Sequence, residues 1–202
     1  WQVREQPFKE LHPSQKLRIA WFGNTSNIFY VRDKLGELMQ NITGVIGIEL
    51  VILSSPKSLE IVERAFQKLL PNAQKAWSLE LIAWDDHLQP TQLEDVLGSC
   101  HVAWIPSNPN DSLKAGVSHN RLVDAVLSGC IPIASEMQSY LELRKLALLG
   151  DNHGQLINLA LREYHRLTTK YQQSRPTMLA RFSPVLNHQR WVSFLRGLQG
   201  SS

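Results

Sequence analysis

Five short, nearly continuous apolar runs, each closed by a turn signal and followed by a stretch of helical period, constrain this chain more than any other feature. Residues 17–22 (Leu-Arg-Ile-Ala-Trp-Phe) close on Gly23-Asn24-Thr25-Ser26, and residues 48–53 stop at Ser54-Ser55-Pro56. Residues 79–84 run into Asp85-Asp86-His87, residues 101–105 precede Pro106, and residues 131–134 follow Gly129-Cys130. Residues 146–149 form a weaker sixth run. Runs as apolar as these belong to strands buried on both faces, which occurs in parallel sheets covered by helices. Helical period is expected over 27–41, 58–70, 90–98 and 122–129, then over 155–172 and 187–198, with Arg175-Pro176 read as a break. The predicted fold class is α/β: a Rossmann-like, doubly wound parallel sheet of about five to six strands.

The chain has 202 residues, 43% of them apolar and 19% charged, which suits one folded domain with one substantial core. Residues 1–15 are polar and interrupted by Pro7 and Pro13, and read as a lead-in or linker; residues 16–202 read as the domain. The chain starts at Trp1 rather than methionine, so it is expected to be a piece of a longer protein. A net charge of +3, spread along the chain, suits an anionic small ligand or a membrane surface and gives no argument for nucleic acid. Cys100 and Cys130 sit in or beside apolar stretches and read as small buried hydrophobes without a disulfide. No apolar run approaches the ~18 residues of a membrane span. The expected compartment is the cytoplasm, including peripheral association with the inner face of a membrane.

Ligands of open parallel sheets bind beyond the carboxyl ends of the strands, so the loops after 22, 53, 84, 105 and 134 are where chemistry is expected. The loop after 105 is unusual in length, running for about a dozen polar residues where such connections take about two to six. It ends on Ser118, which precedes a helix as its expected N-cap, and then Asn120 and Arg121. A helix start with these three side chains suits a phosphate or diphosphate, through the dipole, hydrogen-bond donors and one full cation. The plainer alternative is that Ser118 only caps and Arg121 pairs with an acid. Asp124, one turn further, can accept from both hydroxyls of a vicinal diol, or can be an ordinary ion-pair partner.

The stretch His119-Asn-Arg-Leu-Val-Asp124-Ala-Val-Leu-Ser-Gly129-Cys-Ile-Pro132-Ile-Ala-Ser135-Glu136, preceded by Trp104-Ile-Pro106-Ser107, resembles the C-terminal domain of GT-B glycosyltransferases, in particular the retaining group 1 or family 4 type. The likeness covers about 35 residues closely. It implies one half of a GT-B fold, the half that binds a nucleotide-diphosphate sugar. It also implies that Asp124 stands for the glutamate that holds the donor ribose, and that the helix start at Ser118, Asn120 and Arg121 faces the diphosphate. Ser107 belongs to the Pro-Ser element, Gly23 and Asn24 look like the glycine-bearing loop that approaches the donor, and Asp85 with His87 lies where the family contacts the base. The chain departs from the pattern at Gly116, which stands eight residues before Asp124 where many of these enzymes have a second glutamate. Aspartate in place of glutamate at 124 also shortens the reach by one methylene. No Arg-x4-Lys clamp follows the first strand and helix, although Arg32 or Lys34 could approach.

The seven histidines lack ligand spacing, and neither a metal nor another cofactor is expected. Gly23 without Gly-x-Gly-x-x-Gly argues against a nicotinamide dehydrogenase, and neither a P-loop nor a Gly-x-Ser-x-Gly elbow occurs. The expectation is therefore the donor half of a glycosyltransferase, inactive alone, with Arg121 offsetting leaving-group charge. Its expected partners are a nucleotide sugar, an N-terminal acceptor-binding domain outside these residues, and a saccharide or lipid acceptor. The alternatives are a nucleotide-sugar epimerase of the same fold and a non-catalytic Rossmann-like interaction module.

Overall fold

The computed structural model describes residues 4–12, 14–73, 75–84, 89, 91–112, 118–182, 188–189 and 191–193. In chain order its elements are β1 (Leu17–Phe22), α1 (Ile28–Asn41), β2 (Gly47–Ser54), α2 (Pro56–Leu69), β3 (Ala76–Ala83), α3 (Gln92–Gly98), β4 (Val102–Ile105), α4 (Asn120–Leu127), β5 (Ile131–Ala134), β6 (Leu148–Leu149), α5 (His153–Arg162) and α6 (Tyr164–Leu179). The six strands form one parallel sheet in the order β3-β2-β1-β4-β5-β6. Winding runs outward from β1 in one direction and from β4 in the other. The crevice where the direction reverses therefore opens at the carboxyl ends of β1 and β4, the position such sheets use for ligands. This is the Rossmann-like, doubly wound sheet that the apolar runs predict, and it suits one half of a GT-B fold.

Alternate residues of β1 enter different cores. Leu17, Ile19 and Trp21 face a core built with α1, α2, α4, α5 and α6, while Ala20 and Phe22 join α3, Cys100, Cys130 and Ala125 on the other side. Burying each large apolar side chain contributes about 1.5–3 kcal/mol, so the two-sided burial of β1, β2, β4 and β5 dominates the choice of fold. Cys100 and Cys130 are both buried and free.

Several boundaries differ from expectation by one or two residues, and three features differ by more. β3 begins at Ala76 rather than 79, because it is an edge strand whose residues are half exposed and lack the continuous apolar signature. The helical stretch from 155 is two helices, α5 and α6, parted at Glu163. α6 continues through Pro176 to Leu179 where a break was expected. Proline removes one N–H and its bond, but only three residues follow it in the helix, and the neighbouring Arg175 is fixed by strong contacts. Most of 187–198 lies outside the described residues.

Arg175 is 1% exposed. Its Nη1 donates to the carbonyls of Val126 (2.9 Å) and Leu127 (3.3 Å) at the carboxyl end of α4 and to that of Gln6 (2.9 Å), and its Nε lies 3.1 Å from a Glu5 carboxylate oxygen. Gln6 N–H donates back to the Leu127 carbonyl at 2.7 Å. Residues 4–8 of the lead-in are thus laid against the domain. Gly129 makes room for them: its φ is 76°, and a Cβ there would stand 2.2 Å from the Pro7 carbonyl oxygen.

Among the described residues, no helix is long and apolar enough to cross a membrane.

Candidate functional site

The loop after β1 is held by hydroxyl chemistry. Gly23 N–H donates to the Leu53 carbonyl (3.2 Å), and Ser54 Oγ donates to the Gly23 carbonyl (2.6 Å). Next to them the hydroxyls of Thr25, Ser55 and Ser58 lie 2.9–3.0 Å from one another, joining the ends of β1 and β2. Asn24 is exposed, but its Oδ1 is turned to its own loop, accepting from Ser26 Oγ (2.7 Å) and Asn27 Nδ2 (3.2 Å). From α1, Tyr30 Oη donates to Asp111 Oδ2 at 2.6 Å and so ties the β1 side of the crevice to the loop after β4. That bond, with burial, pushes the Tyr30 hydroxyl up to about 12.

At the tip of β4, both backbone groups of Ser107 are taken by one side chain. Ser107 N–H donates to Ser135 Oγ and Ser135 Oγ donates to the Ser107 carbonyl, each at 2.9 Å. Ser135 follows β5 and lies 3.3 Å from Nε2 of His153, the first residue of α5, whose Nδ1 accepts from Trp104 Nε1 at 3.1 Å. His153 is buried, and that burial pushes its pKa down to about 4.

α4 starts at the strand tips. Its N-cap is His119 rather than Ser118; Ser118 Oγ instead accepts from the N–H of Asn120 at 3.2 Å, and the N–H groups of Leu122 and Val123 turn back to the His119 carbonyl. Those three donors are engaged, so the side chain of Arg121 is the group this helix start holds out. His119 is itself fixed by Glu142, Nδ1 to Oε1 at 3.0 Å, and by the ring of Phe182 with centroids 4.5 Å apart. Ser118 and Asn120 are exposed beside it.

The guanidinium of Arg121 lies over the tip of β1. Its Cζ is 5.4 Å from the Trp21 ring centroid and 5.2 Å from that of Phe22. A Cβ on Gly23 would stand 3.7 Å from the same atom and 3.2 Å from the Trp21 ring, so glycine lets the backbone, indole and guanidinium come together. The residue as a whole is half-buried, but Nε and Nη2 are closed off from solvent and have no hydrogen-bond partner among the described residues. Burial draws the pKa of the group down to about 10, against the opposing pull of Tyr140 and Asp124. A buried cation without acceptors is costly, and the cost is recovered only when an anion with lone pairs docks against it. Asp124, one turn along α4, is half-buried and is pushed up to about 6 by burial, with Arg121 opposing the shift.

The structure thus brings Gly23 and Arg121 together on the β1 side of the crevice, with Asp124 one turn further along α4; Ser107 is at the tip of β4, and Ser118 and Asn120 are at the start of α4. Asn24 is on the rim with its carboxamide oxygen occupied. Asp85, His87 and Gly116 lie outside the described residues. No sequence pattern marks Trp21 and Phe22 as the bed of the guanidinium, or Ser135 and His153 as the residues that hold Ser107. One available signal was Ser135 itself, which ends the Ala-Ser element of the quoted stretch. Among the described residues no group of three histidine, cysteine or acidic side chains is placed to hold a metal ion.

No family model matches this chain, and no curated protein matches it. Among solved structures, the chain is similar to HepE of Anabaena, whose crystal structure is a complex with UDP: 14% identity, TM-score 0.59, with 90% of this chain and 49% of that one covered. The chain therefore spans about half the length of that relative. The catalytic domain of the cholesterol-alpha-glucosyltransferase of Helicobacter pylori aligns at TM-score 0.47 and 12% identity, covering 81% of this chain and 99% of that one. A malate dehydrogenase of Naegleria fowleri aligns at TM-score 0.39 and 10% identity, covering 62% and 40%. At 14% identity, the likeness to HepE establishes a shared Rossmann-like α/β fold.

Proposed function

We propose that residues 16–202 form the donor-binding domain of a GT-B glycosyltransferase, holding a nucleotide-diphosphate sugar whose sugar passes to a saccharide or lipid acceptor bound by a second domain. The observation that carries this reading is the Arg121 guanidinium, whose Nε and Nη2 are closed off from solvent without a hydrogen-bond partner among the described residues, seated beside Gly23 over the switch point of the sheet. A diphosphate supplies the missing acceptors and charge, and the crystallographic complex of HepE with UDP supports that ligand class on this fold.

In this assignment Arg121 contacts the diphosphate directly. As the bond between the anomeric carbon and the phosphate oxygen breaks, negative charge grows on the departing diphosphate, and a guanidinium already in place stabilises it without reorganising. Gly23 lets the phosphates approach the backbone, and Asn24, Ser107, Ser118 and Asn120 border them. Asp124 accepts from the ribose diol; as a carboxylate above about pH 6 it has the lone pairs for both hydroxyls. Asp85 is assigned to the base. The chemistry asks for no metal, because Arg121 supplies the positive charge.

Calorimetric titration of UDP, GDP and ADP, each with and without an attached sugar, tests the reading. One diphosphate is expected to bind, and the heat is expected to vanish in Arg121→Met. Silence from all of them at millimolar ligand would refute the reading and leave an interaction module as the better description.

A further inference from the structure

The polar chain Trp104–His153–Ser135–Ser107 is buried up to the half-buried Ser107, joins three segments and admits a single arrangement of protons. An indole nitrogen can only donate, so Nδ1 of His153, 3.1 Å from Trp104 Nε1, carries the lone pair and the ring proton sits on Nε2. Nε2–H then donates to Ser135 Oγ at 3.3 Å. That oxygen also receives the Ser107 N–H, and its own proton goes to the Ser107 carbonyl, so both lone pairs and the proton of one hydroxyl are used. A residue at a strand tip would ordinarily leave its backbone groups to water or ligand. Here they are locked to β5 and α5, and the hydroxyl of Ser107 is the group left to turn toward a ligand.

We propose that His153 is a positioning residue for the donor site: by accepting from Trp104 and donating to Ser135, it fixes the one hydroxyl that holds both backbone groups of Ser107, and so sets the loop after β4 for the nucleotide. The assignment rests on the donor-site reading above. The charged groups facing the ring are Lys34 and Glu37 of α1 and Asp151 before α5, together with the Gly150 carbonyl; burial outweighs them, and the neutral ring is the stable one. Protonation would place an N–H on Nδ1 against the indole N–H, which breaks the chain at its first link.

The test follows the Ser107 amide and the Trp104 indole N–H by NMR, together with UDP titration, in the full chain and in His153→Leu, His153→Gln and Ser135→Ala. His153→Leu and Ser135→Ala should both shift the Ser107 amide and weaken UDP about tenfold, the scale of one lost hydrogen bond in a desolvated site. His153→Gln can accept from Trp104 and donate to Ser135, and should keep affinity within about threefold of the parent. If His153→Leu does not fold, Ser135→Ala, which removes one oxygen, decides alone. A parent that binds UDP while Ser135→Ala leaves both the Ser107 amide and the affinity unchanged overturns the positioning role. So does an affinity that tracks melting temperature through the series, with glutamine no better than leucine. A parent that binds none of UDP, GDP and ADP sinks the donor-site reading and with it the role at a nucleotide, whereas an amide shift in the variants would still establish that His153 sets Ser107.

Discussion

Replacing Arg121 with methionine should leave the protein more stable and unable to hold nucleotide. Burial draws the guanidinium from its ordinary 12.5 to about 10, and at about 1.4 kcal/mol per unit the empty site carries a cost near 3 kcal/mol at every pH where arginine is charged. Methionine keeps the aliphatic contact with Trp21 and Phe22 but loses two cation–π contacts, worth about 0.5–1 kcal/mol each. The net gain is about 1–2 kcal/mol, a rise of a few degrees in melting temperature for a chain of this size. Against this, hydrogen bonds from a charged donor to phosphate contribute about 1.5–3 kcal/mol each, so loss of even one weakens UDP at least about tenfold. Thermal melts and UDP calorimetry at pH 7.5, on parent and variant, measure both effects. A variant that melts several degrees lower and still binds UDP would refute the reasoning, because Arg121 would then be a structural cation rather than one waiting for an anion.

Asp124→Asn should show a related trade. The folded state holds this proton up to about pH 6 while the unfolded chain releases it near 3.8, so the parent loses stability as pH rises through that window. Urea denaturation should find the asparagine variant about 1–2 kcal/mol more stable than the parent at pH 7.5 but not at pH 3.5, with UDP binding weakened. His153 works in the opposite sense: its pKa falls to about 4 on folding, so the stability of the neutral ring is complete above about pH 6.5 and is lost as pH falls toward 4, by about 3 kcal/mol. The same denaturation series on His153→Gln should lack that share of the acid slope; parallel curves would exclude it. Gly129→Ala combines a left-handed backbone with a Cβ 2.2 Å from the Pro7 carbonyl oxygen, and should cost about 2–4 kcal/mol. Hydrogen exchange at the Gln6 amide, which bonds Leu127, should speed up in this variant.

How much of this was legible in the sequence depends on the range of the interactions. β1 and β5 match their apolar runs end to end, since a strand buried on both faces writes its boundaries in consecutive residues. β3 does not, because an edge strand needs apolar residues on fewer positions. The passage of α6 through Pro176 was hidden for another reason: a local rule favoured a break there, and the contacts that hold Arg175 come from residues 5, 6, 126 and 127. At the candidate site, Arg121 stood out because a helix start is a local pattern. Its aromatic bed lies a hundred residues earlier in the chain, and the partners of His153 come from β4 and the residue after β5, so neither left a periodic trace.

The two ends of α4 are engaged differently. Eight residues make a strut about 12 Å long. Its carbonyl end is gripped by Arg175 and by the segment around Gln6, while its other end holds a cation out to the crevice. So short a helix moves as one piece, and any shift that brings Arg121 onto a phosphate must be taken up at Gln6 and Arg175. By the reciprocity of linked equilibria, a pull on that amino-terminal segment would alter the grip on the phosphate by the same free energy.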